Sequence, residues 1–61
     1  MKKKVEVEMD LSDVIPVEVM EAIEMKVCDV CEEHNLNIDT VNWYVTNMTA
    51  KIVVEGDIEE L

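Results

Sequence analysis

"VEVEMDL", residues 5–11, alternates without a break. Val5, Val7, Met9 and Leu11 fall on one face, and Glu6, Glu8 and Asp10 on the other. A period of two with β-branched residues marks a strand with one face buried. Ser12 and Asp13 end the alternation, and from Pro16 the period changes. Proline near a first turn, with Glu18 close to the positive end of the dipole, fits a helix start. Up to His34, at about 100° per residue, Val19, Met20, Ile23, Val27, Val30, Cys31 and His34 share a stripe about 120° wide. "HNLN", residues 34–37, closes the helix, with Asn35 or Asn37 able to take a left-handed cap.

Beyond the helix, "IDTVNWYVTNM" (38–48) returns to period two: Val41, Trp43 and Val45 on one face, Asn42, Tyr44 and Thr46 on the other. "TNMT" (46–49) suits a tight turn. "AKIVVEGDI" (50–58) is expected to be a third strand with Ala50, Ile52 and Val54 inward, and "GDIEEL" (56–61) a short acidic tail. The predicted architecture is α+β, in the order β-α-β-β, with one helix packed on one face of a three-stranded antiparallel sheet. By analogy with split β-α-β arrangements the third strand lies in the middle. Residues 1–61 form a single small domain.

A chain of 61 residues buries only about 60% of its unfolded surface, so its core is marginal. After "MKKK" no apolar run follows, and the expected compartment is the cytoplasm. Fifteen acids stand against five lysines, with no arginine, for a net charge of −10. Such a body repels nucleic acid and anionic membrane. The hydrophobic content of 49% argues against disorder, which needs low hydrophobicity with high charge.

"KVCDVCEEHN" (26–35) sets Cys28, Cys31 and His34 at three-residue steps. A redox Cys-x-x-Cys pair uses a helix N-terminus to lower a thiol pKa; these cysteines sit in the last third of the helix beside Asp29, Glu32 and Glu33. Cys28 and His34 are six residues apart, a rise of about 9 Å, too far to share one tetrahedral ion. The pair is therefore expected to act as small apolar side chains, with a half-site shared across an interface as the one metal arrangement left open. No metal and no cofactor is expected.

The acids form two sets. Glu18, Glu21, Asp29 and Glu32 surround Met25 on the helix face turned from the core, and a methionine inside an acid ring suits an adaptable contact. Glu6, Glu8 and Asp10 project from the sheet's outer face, where Glu55 and Asp57 would join them if the third strand is adjacent. Like charges facing across strands destabilise a sheet, with Lys51 the obvious local relief. Carboxylates in rows can stand in for phosphates, which a duplex presents at about one charge per 1.7 Å.

The two aromatics are adjacent and point to opposite faces. Trp43 is expected to anchor the core with Val41 and Val45. Tyr44, facing outward near Val53, suggests a homodimer seam. A short strand, a long helix and "VNWYV" (41–45) also resemble the dodecins, small β-α-β-β flavin-binding proteins that form hollow dodecamers. That resemblance implies Trp43 stacking on a flavin. The family has a longer link between its last two strands and a flavin-contacting glutamine; this chain has a tight turn and no glutamine.

One histidine, no nucleophile–base pair and a single glycine leave no basis for catalysis. The expectation is a non-enzymatic inhibitor, a nucleic-acid mimic whose acids occupy a basic surface on a partner protein. It binds no nucleic acid or membrane itself, and it forms a homodimer. The alternatives are a structural or regulatory homo-oligomerisation module and a dodecin-like flavin carrier.

Overall fold

The computed structural model describes residues 1–58, so Glu59, Glu60 and Leu61 of the expected acidic tail lie outside the described residues. The elements are β1 (Lys2–Asp10), a 3-10 turn (Pro16–Glu18), α1 (Val19–His34), β2 (Leu36–Thr46) and β3 (Thr49–Ile58). The sheet order is β1-β3-β2, with β3 antiparallel to both neighbours. This is the α+β, β-α-β-β arrangement that the change of period foretells. One boundary moves: the α-helix proper begins at Val19, because Pro16 first sets a 3-10 turn. Gly56, Asp57 and Ile58, common to the expected third strand and the expected tail, belong to β3.

Each element ends for a local reason. Asn35 takes the left-handed cap (φ 52°, ψ 47°), a conformation asparagine tolerates better than most residues. Leu36, freed from the helix, is buried at the start of β2. Asn47 and Met48 both have positive φ (51° and 59°) and link β2 to β3 in a two-residue turn. That geometry favours Asn-Gly, so Asn47 fits and Met48 is strained. Its carbonyl accepts a 2.7 Å bond from the Leu11 N–H, which ties the end of β1 to the hairpin tip.

A Met48→Gly substitution should therefore stabilise the domain. Holding the left-handed region costs a non-glycine residue about 1–2 kcal/mol, and glycine's extra backbone entropy takes back about 0.5–1 kcal/mol. The expected net gain is roughly 0.5–1 kcal/mol, read as a higher urea midpoint. An unchanged or lower midpoint would show that the Met48 side chain holds the turn in some other way.

The core gathers Leu11, Ile23, Val30, Leu36, Ala50, Ile52 and Val54. Register places Val5–Val54–Val41, Val7–Ile52–Trp43 and Met9–Ala50–Val45 in three rows across the helix-side face. Within these rows β3 is fully buried and β1 half-buried, whereas β2 stays open. The expectation that Trp43 anchors the core is thereby corrected. Trp43 is 40% exposed, Val41 36% and Val45 45%. On the helix, Ile23 and Val30 lead the buried face and Ala22 and Lys26 are half-buried, so Met20, on the β2 side, is left 48% exposed.

Candidate functional site

The two acid sets lie on opposite faces of the sheet, as the alternation requires. Their electrostatics differ. On the outer face Glu8 lies across from Lys51, Glu55 from Lys4 and Asp57 from Lys2; Glu6 faces Val53 and Asp10 faces Thr49. The like-charge opposition expected there does not arise, because the register brings the N-terminal lysines alongside β3. Lys51 Nζ lies 3.7 Å from Glu8 Oε1, and Lys2 pairs with Asp39 and, at 3.9 Å, with Asp57. Exposed pairs of this kind stabilise little, yet they set Lys2, Lys4 and Lys51 against Glu6, Glu8, Asp10, Asp39, Glu55 and Asp57, which leaves the outer face at about half its acid charge. Tyr44 and Val53 share a shallow depression there with Glu6, Glu8 and Lys51.

Asp10 turns back on the chain. The Ser12 N–H donates to Asp10 Oδ1 at 2.9 Å. This bond, with help from the Ser12 side chain, holds the carboxyl below its usual range. A folded-state pKa below the unfolded one adds stability above the carboxylate range, lost as pH falls through the folded value. Asp10→Asn should therefore flatten the acid limb of a stability–pH curve, measured as the urea midpoint at successive pH values. An unaltered acid limb would mean that the turn does not depend on the charge.

The helix face carries the uncompensated charge. Between Asp13 and His34 there are seven acids and one lysine, so this stretch holds −6 of the chain's −10. Glu18, Glu21, Asp29 and Glu32 are exposed around Met25, itself 62% exposed. Two shallow depressions meet at Met25: one has Asp13, Glu18 and Glu21 on its walls, the other Met9, Lys26 and Asp29. The six helix-segment acids from Glu18 to Glu33 span about 22 Å at 1.5 Å per residue. Without Glu24, which turns to the β2 side, the mean axial spacing is about 5–6 Å, against 3.4 Å between phosphates along one duplex strand.

This arrangement works against the helix. Glu18–Glu21, Glu21–Glu24, Asp29–Glu32 and Asp29–Glu33 are like-charge neighbours at three or four residues, each costing about 0.2–0.5 kcal/mol. Asp29, Glu32 and Glu33 also crowd the negative end of the dipole, where cations are favoured; only His34 is basic in the last turn.

His34 and the cysteines stay apart from this face. Lys3 Nζ donates to His34 Nδ1 at 3.2 Å. Cys28 is exposed and Cys31 half-buried, both as free thiols. Burial, and secondly the neighbouring Cys28, pushes the Cys31 thiol pKa up, away from the thiolate that metal binding and nucleophilic attack require. Among the described residues no three His, Cys, Asp or Glu side chains gather as a metal site, and no helix is long and apolar enough to cross a membrane.

A further surface escapes the sequence reading: a mostly apolar groove between α1 and β2, with Met20, Val27, Cys28, Val41 and Trp43 on its walls and Glu24 as its one acid. Its trace in the sequence is the charge-poor run 36–50, where Asp39 is the single charge in a chain that is 33% charged.

Fold and surfaces together define a small acidic α+β domain with a split β-α-β sheet, one charged face and one apolar groove. No family model, curated protein or solved structure matches this chain. The two-residue turn at Asn47–Met48 keeps the departure from the longer dodecin connection.

Proposed function

We propose that the domain is a non-enzymatic binding protein whose acidic helix face occupies a basic, nucleic-acid-binding surface of a partner protein. The observation that carries this reading is the segregation of charge. The outer face of the sheet sets three lysines beside its six acids, whereas the helix segment has one lysine against seven acids and places three of them where they destabilise the helix. Solubility alone does not require that placement, since the same net charge spread evenly would cost less. Met25 supplies a desolvated anchor at the centre of the ring, as a hot spot needs.

The test uses the wild-type protein and an Asp29→Lys variant as affinity columns for a cell lysate. The reading expects a basic protein retained by the wild type, released by rising salt and displaced by added DNA or RNA. Asp29→Lys should lose that protein while keeping or raising thermal stability by a few tenths of a kcal/mol, because turning its repulsions with Glu32 and Glu33 into attractions outweighs the lost pair with Lys26. Equal retention on both columns, or a retained protein that nucleic acid cannot displace, would sink the proposal.

A further inference from the structure

We infer that β2 is a pairing edge for a second copy of this chain, so that two three-stranded sheets join antiparallel into one six-stranded sheet. The evidence is the contrast between the two sheet edges. Edge strands present unpaired N–H and C=O groups, and proteins blunt them with charge. In β1 six of nine residues are charged: Lys2, Lys3, Lys4, Glu6, Glu8 and Asp10. In β2 the only charge among eleven residues is Asp39, and Lys2 pairs with it. Apart from buried Leu36, every β2 residue is exposed. One edge is thus guarded and the other is long, neutral and apolar.

Charge also selects the occupant. Two copies carrying −10 each repel over most approaches, and the β2 edge is where they meet with the fewest acids, since Asp39 is paired with Lys2 and Glu24 is the one acid on the groove. A basic partner is drawn instead to the helix face. Antiparallel pairing of identical strands about a two-fold axis normal to the sheet keeps both helices on one side. The two β3 strands then lie about 14 Å apart, three strand spacings. Helices about 10–12 Å across leave a narrow cleft between them. Met20, Val27, Val41 and Trp43 of both copies would line and fill it. The pairing thus covers the apolar residues that α1 leaves open and enlarges a core that is marginal at this chain length.

The surface is separate from Met25 and its acids, so the inference stands independently of the proposed function. Salt separates them too: screening should strengthen self-association and weaken binding at the acid face.

The experiment is sedimentation equilibrium of the full-length chain over a range of concentrations, with Trp43 emission recorded on the same samples. Twice the chain mass at high concentration, with a blue shift as Trp43 leaves water, is the expected result. Val45→Lys, a charge introduced at a position 45% exposed, should weaken association about tenfold or more. Hydrogen exchange on the wild type provides a readout that needs no variant: the outward amides of β2 should gain protection as concentration rises. A single-chain mass throughout, concentration-independent exchange in β2, or a mass that grows beyond two chains would each overturn the two-fold pairing.

Discussion

Ile52→Ala is expected to remove half or more of the domain's stability. Ile52 is fully buried at the middle of the central strand, between Val7 and Trp43 in the sheet and beneath the helix. Truncating a buried isoleucine costs about 2–5 kcal/mol, the transfer of the lost atoms plus the cavity they leave. A domain of 61 residues has only about 3–9 kcal/mol in total at 0.05–0.15 kcal/mol per residue. The variant should therefore melt well below the wild type, followed by circular dichroism. Val45→Ala, on the same face of β2 but 45% exposed, should cost less than about 1 kcal/mol. If the two variants fell together, or Val45→Ala cost more, the core would not be centred on β3.

Gly56→Ala should be the second most damaging single change, although it adds one methyl group. Gly56 does not need glycine for its dihedral angles, since no glycine here has positive φ. It needs glycine for space. The register of β2 on β3 shifts between Ile38 and Thr40, and the bulge presses the β2 backbone onto β3. A Cβ at Gly56 would collide with the Asn37 carbonyl oxygen, lying 2.8 Å from its carbon and 3.0 Å from Ile38 Cα. Backbone atoms cannot swing aside as a side-chain tip can, so the strands must part locally. Overpacking of this kind costs about 1–3 kcal/mol. Chemical denaturation would read the loss, and hydrogen exchange would show it centred on the pairing of Asn37 and Ile38 with β3. A neutral alanine there would mean that the bulge can relax.

The two positions differ in how far the sequence reveals them. Ile52 is evident from alternation alone: "AKIVVE" places it inward with Ala50 and Val54. Gly56 falls where the expected third strand (50–58) and the expected acidic tail (56–61) overlap, so its setting is ambiguous from the sequence. Only the pairing of β3 with the bulged β2 shows that the glycine is pressed against another backbone. The acid sets divide in the same way. That Glu6, Glu8 and Asp10 share a face follows from period two, and that Met25 sits among acids follows from the helical period. Which residue each acid faces depends on register, and register put lysines, Val53 or Thr49 opposite the outer-face acids where acid-against-acid pairs were expected.

The periods of two and 3.6, the Asn35 cap and the "TNMT" turn are local properties, set by neighbouring dihedrals and side-chain spacing. The sequence by itself therefore determined the element order, the α+β class and the inward faces of β1 and β3. Where α1 settles on the sheet is not local, because it depends on how one helix divides its apolar contacts among three strands. Side-chain burial is deepest on β3, intermediate on β1 and least on β2, which leaves Trp43 in partial contact with water. The same packing sorts the charge, compensated in part on the sheet and little on the helix. A helix narrower than the sheet beneath it cannot cover every strand.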